Sequence, residues 1–578
     1  MKHTKKLASL LLALALAFAL AVPAFAAETS TLTINTTAGH TYRVYQLLKG
    51  DVANLNAGSG TLSNVTAGEN LKAGTTVTDF LGAIDGKTSA ELGDTAYSYV
   101  SGTAKYSVTG TGSAVDTTVD NGYYLVVDSH TDGTNGQDAL SRYMVAVVGN
   151  TTMTPKASTP SIDKKIIDTD ANKAIDGENK KTDTAAIGDT IEYEITGTVP
   201  NTEGYKYYYY VVHDTLSKGL TLDESSFEIK VGSKTLTKYV KLDENTVAAT
   251  SDNYYLYVTH NEDGTTTFVL ALENLKTLVD TDDNGVSVGS AISIKYNATV
   301  NDKAEIGKIP NTNTAKLEYS NNPGSSTRSD AADKPGTPQP GTATGEGPNL
   351  ITKTYVTELT ILKVDQDGKK LEGAKFTLTG ANLNKVIVET NTTFRAATEN
   401  ETAEYYKLKN GTYTKTAPIT EGNGYNADKY ESTTPGYVRV TTVTTSTAAA
   451  GDPKAIVGTV SAEGYVIFTG LNAGTYTLTE TKTPAGYNTI APITFTISAT
   501  QSGSSNVEGG SITWSSDKDE IKLDAANGVF DTTIVNEAGT LLPSTGGMGT
   551  TLFYVLGGVL VVGAVVLLIT KKRMGAEQ

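Results

Sequence analysis

Tyr476-Thr477-Leu478-Thr479-Glu480-Thr481-Lys482-Thr483-Pro484-Ala485-Gly486-Tyr487 is the stretch whose reading decides the architecture. In an extended chain alternate residues face the same way. Tyr476, Leu478 and Glu480 therefore share one face, and the threonines share the other. This pattern is a strand with a carboxyl group placed among its apolar residues, where an unpaired ionised group is costly to bury.

The same phase argument extends outward. Leu359-Thr360-Ile361-Leu362-Lys363-Val364-Asp365 puts Lys363 on the face of Leu359 and Ile361. Near the far end of the same unit, Phe530, Ile534 and Asn536 fall in phase. A lysine, an asparagine and a glutamate thus lie on faces that read as buried; the alternative is three ordinary rim residues. A second set stands upstream. Lys164 shares a face with Ile162 and Ile166; Asp214 lies with Val212 and Leu216; Asn313 lies with Ala315, Leu317 and Tyr319. Two neighbours compete here. A one-residue slip would bring Lys165 inward, and Asn311 already shares the face of Asn313.

Composition agrees with strands. The 578 residues include 56 Gly and abundant Thr, Val and Tyr, with no long helical heptads, which favours twisted strands joined by turns. The length suits about three or four domains at roughly 150 residues each. The expected fold class is all-β, a tandem of antiparallel two-sheet sandwiches of immunoglobulin-like type. Strand-like runs include Tyr42 to Tyr45, Tyr123 to Asp128, Met144 to Val148, Thr190 to Val199, Tyr207 to Val212, Phe268 to Leu272 and Ala291 to Val300. The segment 321–349, rich in Pro, Gly and Thr, reads as a long loop, with Ile351 to Val356 as the last strand of the middle unit. The polar region 382–458 reads in part as an insertion.

Charge and motif content exclude several functions. A net charge of -16 makes nucleic acid an unlikely partner, since binding needs a basic stripe. Five scattered histidines form no metal or triad signature, and Asp280-x-Asp282-x-Asn284-Gly285 lacks the twelfth-position Glu of a calcium loop. No cofactor, no metal and no enzymatic turnover of an external substrate are expected. Cysteine is absent, so no disulfide staples this chain.

The two ends describe a route. Lys2, Lys5 and Lys6, an apolar run from Leu7 to Val22, and Ala24-Phe25-Ala26 read as a secretory signal. Thr551 to Thr570 is apolar and long enough to cross a bilayer, followed by Lys571-Lys572-Arg573. Just before it stands Leu542-Pro543-Ser544-Thr545-Gly546.

That pentapeptide, apolar span and basic tail together resemble the cell-wall sorting signal of Gram-positive surface proteins. The resemblance implies cleavage between Thr545 and Gly546 by a sortase, which passes Thr545 to an amine. The stretch from Tyr476 resembles the E-box of Gram-positive pilins, and with Leu371-Glu372-Gly373-Ala374-Lys375-Phe376 the third unit resembles a collagen-adhesin B-type domain. In that family the opening-strand Lys and closing-strand Asn join in a self-made isopeptide bond. The roles implied are Lys363 as nucleophile, Asn536 as electrophile and Glu480 as proton shuttle. Gly188 to Tyr193 and His213-Asp214-Thr215-Leu216 resemble segments of pilin middle domains, implying a Lys164–Asn313 bond with Asp214 as catalyst, Lys165 and Asn311 remaining the competitors. Thr154-Pro155-Lys156 stands where pilin shafts carry their acceptor lysine, with Thr154 in place of the usual Tyr.

The resemblance as a whole is to the sortase-assembled backbone pilins. It implies a signal peptide at 1–26, an N-terminal domain at 27–156, a middle domain at 157–357, a C-terminal domain at 358–540 and a sorting signal at 541–578. Implied partners are pilus-specific and housekeeping sortases, identical subunits, minor tip and base pilins, peptidoglycan and a host surface ligand; the implied location is the Gram-positive cell wall. The rival reading is a monomeric wall-anchored adhesin that binds host matrix.

Overall fold

The structure is a computed structural model of the whole chain. It describes all residues except 1–28, 57–58, 88, 132–137, 156–158, 168–179, 240–251, 274, 282–284, 326–335, 339–341, 384, 400, 410, 423, 448–453, 540–548 and 575–578. The expected signal peptide, Lys156 and the segment Leu542 to Gly546 therefore lie outside the described residues.

The first domain contains β1 (Thr29–Asn35), β2 (His40–Asn56), β3 (Ser59–Ala67), α1 (Val77–Ile84), α2 (Ser89–Ser98), β4 (Tyr106–Thr109), β5 (Ala114–Asp120), β6 (Gly122–His130), β7 (Arg142–Val147) and β8 (Thr151–Met153). One sheet runs β5-β1-β8 and the other β3-β2-β6-β7, with β4 also on β2. Leu32, Ile34, Tyr42, Val44, Tyr124 and Val126 fill the space between them. The second sheet is apolar on its other face too, and there α1 and α2 cover Leu47, Leu48 and Leu125 with Phe80, Ile84 and Ala96. The strand-only expectation missed these helices. Their signal is a capping box, in which the Thr76 side chain accepts from the Asp79 amide and Asp79 reaches back to the Thr76 amide.

The middle domain follows with β9 (Ile162–Ile167), β10 (Thr182–Thr184), β11 (Thr190–Thr198), β12 (Tyr210–Leu216), β13 (Leu220–Val231), β14 (Lys234–Lys238), β15 (Asn253–His260), β16 (Thr266–Ala271), α3 (Leu275–Asp280), β17 (Ala291–Val300), β18 (Asn311–Ser320), β19 (Thr344–Glu346) and β20 (Leu350–Tyr355). Pairing runs β10-β20-β18-β12-β16-β15-β14-β13-β17-β11-β9, with β19 on β18. The path folds over at the short β14–β15 contact into two facing layers. β17 illustrates why: Ile292, Ile294, Tyr296, Ala298 and Val300 are buried while the residues between them are not. The strand expected from Tyr207 begins at Tyr210, and its rings divide as the alternation requires, Tyr208 and Tyr210 into the core and Tyr207 and Tyr209 onto the outer face.

The third domain has β21 (Thr357–Asp365), β22 (Lys375–Gly380), β23 (Lys385–Ala396), β24 (Tyr406–Lys407), β25 (Tyr413–Thr414), β26 (Tyr437–Thr447), β27 (Lys454–Thr459), β28 (Tyr465–Leu471), β29 (Gly474–Lys482), β30 (Ile493–Ser502), β31 (Ser511–Ser516), β32 (Lys522–Asp524) and β33 (Val529–Asn536). Its sheets are β26-β23-β28-β21-β33-β32 and β27-β22-β29-β30-β31. The sandwiches are not purely antiparallel: β1–β8, β10–β20, β14–β15 and β21–β33 pair in parallel. A final helix, α4 (Gly549–Met574), contains a span from Tyr554 to Lys572 that is long and apolar enough to cross a membrane.

The middle and third domains interlock. Tyr355 belongs to the core of the third and Val356 to the core of the middle, so no free linker separates them. The main chain of 507–509 bonds both sides of Ile351, at 2.8 Å each, and the Gly510 amide donates to the Thr182 hydroxyl at 2.7 Å. On the other side of the junction Lys308 N donates to Asn527 O at 3.0 Å. Gly307 permits that approach: its φ is +82°, and a Cβ there would collide with the Asn527 carbonyl. Gly307→Ala should therefore destabilise this two-domain unit by about 1–3 kcal/mol. A urea titration followed by tryptophan fluorescence checks it, since Trp514 lies beside Gly307; an unchanged midpoint would mean that the junction adds nothing to stability.

Candidate functional site: two buried lysine, carboxyl and asparagine sets

In the middle domain β9 lies in one layer and β12 and β18 are neighbours in the other. Alternation aims Lys164, Asp214 and Asn313 into the seam, and none is more than 1% exposed. Asp214 and Asn313 are diagonal neighbours, Asp214 facing Ala315 and Leu216 facing Asn313 in the register. Lys164 Nζ donates to Asp214 Oδ2 at 2.6 Å. Tyr296 links the set: its hydroxyl donates to the same Oδ2 at 2.7 Å and accepts from Asn313 Nδ2 at 3.0 Å. The stacked rings of Tyr193 and Tyr296 stand 5.4 and 5.7 Å from Lys164 Nζ. Asp214 Oδ1 and Asn313 Oδ1 have no hydrogen-bond partner among the described residues.

Burial in this dry seam pushes the Lys164 amine down to about 8, opposed by the Asp214 carboxylate, and pushes the Asp214 carboxyl up, opposed by Lys164 and Tyr296. Desolvation disfavours the charged form of each, so both shifts favour a neutral amine beside a protonated acid. The competitors are occupied elsewhere. Lys165 points outward to Glu194 at 3.0 Å. Asn311 is buried, but its amide holds the Glu305 main chain and the Thr354 carbonyl.

In the third domain Lys363 and Asn536 share one sheet. Parallel pairing of β21 and β33 sets Lys363 beside Ile534 and Asp365 beside Asn536, so the two side chains are diagonal neighbours on the inner face. Both are fully buried. Glu480 reaches them from β29 in the opposite sheet, next to a register shift against β22 at Phe376. Asn536 Nδ2 donates to both Glu480 carboxyl oxygens at 3.1 Å and to Asn488 O at 2.9 Å. The Ile490 amide donates to Glu480 Oε2 at 3.1 Å. Among the described residues Lys363 Nζ has only main-chain acceptors, Ile534 O at 3.1 Å and Val364 O at 3.4 Å. Burial holds its amine down at about 8, offset in part by Glu480 and Asp365.

Each set therefore places a deprotonatable amine, a carboxamide and an acid together in a seam that excludes water. Sequence reasoning missed Tyr296, whose ring position was legible in the β17 alternation but whose bridging hydroxyl was not. It also missed the loop groups Asn488 and Ile490, which act through main-chain atoms. The first domain offers a contrast. Lys105 donates to Gln46 Oε1 at 2.9 Å and pairs with Asp120 and Glu69. Burial pulls this amine down, but the two partly exposed carboxylates outweigh it and leave it above its ordinary value. Lys105 is an ion-paired cation, not a nucleophile.

Tandem β-sandwiches with such seams define a modular all-β class, and the sequence comparisons give the kinship. Residues 187–323 match the family described as Gram-positive pilin backbone subunit 2, Cna-B-like domain. Residues 357–433 and 419–510 match the SpaA prealbumin-like fold domain. The chain is homologous to Gram-positive backbone pilins. It is 27% identical over 453 residues to the trypsin-resistant surface T6 protein of Streptococcus pyogenes serotype M6, covering 76% of this chain and 73% of that protein. Among solved structures it is similar to the T6 backbone pilin of the same serotype, at 18% identity and TM-score 0.46, over 89% of this chain and 99% of that one. It is also similar to the full-length major pilin RrgB of Streptococcus pneumoniae, at 16% identity and TM-score 0.39, over 89% and 100%.

The depressed amine has a measurable consequence. In an Asn536→Ala chain Lys363 keeps its burial but has no carboxamide partner. Its folded pKa of about 8 lies below the model-peptide value of 10.5, so the cost of burying the ammonium is complete below about pH 8 and relieved as pH rises toward 10.5. The urea midpoint of Asn536→Ala, relative to Lys363→Met/Asn536→Ala, should rise across that window. A flat difference would show that the amine is not held in the dry seam.

Proposed function

We propose that this chain is the backbone subunit of a covalent pilus, joined by a sortase from Thr545 of one subunit to Lys156 of the next, and reinforced by Lys164–Asn313 and Lys363–Asn536 isopeptide bonds. The carrying observation is that a buried Lys–acid–Asn set occurs in each of the two domains lying between those points along the chain. A monomeric adhesin has no comparable need to crosslink every domain between two attachment points.

The chemistry is self-contained. The neutral lysine Nζ attacks the asparagine Cγ, forming the Nζ–Cγ bond. The acid polarises the carboxamide, takes the proton released by the amine and returns it to the departing nitrogen. The Cγ–Nδ2 bond breaks and ammonia leaves, with no oxidant, metal or cofactor in the balance. Asp214 serves the middle set, with the Tyr296 hydroxyl standing between it and the leaving nitrogen; Glu480 serves the third. Each bond closes a long loop and, if loop entropy in disulfides is a fair guide, restricts the unfolded state by about 5 kcal/mol.

The proposed acceptor follows β8 after Thr154 and Pro155, where the Asn35 side chain bonds the Thr154 hydroxyl at 2.7 Å. The proposed export signal, housekeeping sortase, peptidoglycan, minor pilins and host ligand belong to the same reading, as does a wall-anchored location. Backbone pilins are structural subunits, and no turnover of an external substrate is proposed.

Two measurements test it. The intact mass of the folded ectodomain should fall short of the sequence mass by two ammonia molecules. Glu480→Ala should restore one and Asp214→Ala the other; a mass equal to the sequence would remove both assignments. In boiled cell-wall extracts the wild type should give a high-mass ladder, and Lys156→Ala should leave monomer while export persists. A full ladder from the mutant would place the acceptor at another lysine.

A further inference from the structure

A second titratable cluster lies in the first domain, apart from both lysine sets. His40 on β2 and Asp128 and His130 on β6 are all buried. His40 Nδ1 meets Asp128 Oδ1 at 2.9 Å, and its other nitrogen stands 3.6 Å from Asp138 Oδ2. The His130 ring lies edge-on to His40 with centroids 4.8 Å apart, and Tyr42 stacks beside it at 6.2 Å. From the middle domain the phenols of Tyr205 and Tyr319 are near enough to feel the negative charge of Asp128 and Asp138 respectively. Among the described residues, the carboxylates that act on the imidazole are Asp128 and Asp138.

The cluster grips the stretch just before β7, a part of the first domain that touches the middle one. Asp128 holds Ser141 twice: the Asp128 amide donates to Ser141 O at 2.9 Å, and the Ser141 hydroxyl donates to Asp128 Oδ2 at 3.3 Å. One residue earlier, Leu140 N donates to Asn321 O of the middle domain at 2.7 Å, and Leu140 O accepts from the Tyr205 hydroxyl at 3.4 Å. Ala139 N donates to the Thr159 hydroxyl at 3.4 Å. The imidazole is thus one carboxylate away from the main chain that docks the domains.

We propose that His40, Asp128 and Asp138 form a pH-sensitive latch that docks the first domain on the middle domain at acidic pH and loosens it as pH rises. With a proton on His40, one cation serves two carboxylates. Without it, the buried Asp128 carboxylate loses the cation hydrogen-bonded to it and Asp138 loses its inward charge partner, so segment 138–141 loses its anchor. The direction of titration agrees. Hydrogen bonding to Asp128 raises His40 above its ordinary 6.5, outweighing burial, and burial raises Asp128. The His40 contribution is therefore present below pH 6.5 and is lost as pH rises through its raised folded value, whereas that of Asp128 is complete only below pH 3.8 and is lost as pH rises through its own raised value. The latch acts on domain docking whether or not the subunits polymerise.

Hydrogen–deuterium exchange on the whole protein, between about pH 5.5 and 8.5 where histidine titrates, tests this after correction for intrinsic exchange. Protection of 139–141 should fall with rising pH while β21 stays unchanged. His40→Gln should show low protection throughout and lose the pH dependence; His130→Gln should keep it. Unchanged protection in the wild type, or the same pH dependence in His40→Gln, would overturn the latch. Should His40→Gln not fold, the wild-type His40 ring and the Leu140 amide, followed together by NMR, should titrate with one midpoint, and an amide shift independent of the ring would be equally decisive against it.

Discussion

Burying an amine between two sheets is the constraint on which the rest of this molecule turns. Lys164 and Lys363 have no exposed surface, and a charged ammonium in such a place is tolerated only with partners. The surrounding structure supplies them differently. The middle domain gives Lys164 an adjacent carboxyl and two tyrosine rings; the third gives Lys363 two carbonyl oxygens and a more distant Glu480. In both, the pressure to shed charge favours the neutral amine, so the cost of burial and the proposed reactivity have one origin.

The two sandwiches meet this constraint with unlike geometry. In the middle domain the lysine and asparagine come from opposite layers, so a bond between them would cross the seam. In the third they stand on neighbouring parallel strands, and the acid crosses the seam instead. Either arrangement ties an opening strand to a closing one. A pull along the chain would then pass from β9 to β18 and from β21 to β33 without entering the intervening strands. The interlocked junction around Tyr355 and Gly307 holds the two sandwiches together beside that path.

The first domain is built otherwise. Its second sheet is packed on both faces, by the first sheet on one side and by α1 and α2 on the other. Its half-buried Lys105 remains ionic rather than poised for attack, keeping its charge because the carboxylates of Asp120 and Glu69 reach it. Its attachment to the middle domain runs through a titratable cluster and a few main-chain bonds, in contrast with the merged cores of the other two.

Alternation was enough to place Lys363, Glu480, Asn536, Lys164, Asp214 and Asn313 on inward faces, because a strand has a period of two and a buried face tolerates little else. It also carried many of the longer strands, including β17 residue for residue. What it could not decide was register and pairing. Lys165 and Asn311 remained competitors to Lys164 and Asn313 until the β9–β11 and β12–β18 pairings fixed which side chains enter the seam and what each touches. The helices α1 and α2 escaped notice because a two-turn helix is a weak periodic signal amid strands. Tyr296, Asn488 and Ile490 escaped because a hydroxyl bridge and main-chain contacts depend on three-dimensional approach. The sequence by itself determined which residue types face inward, through local periodicity; only the tertiary structure decided which of them meet, because contacts between strands far apart in the chain are set by how the sheets close.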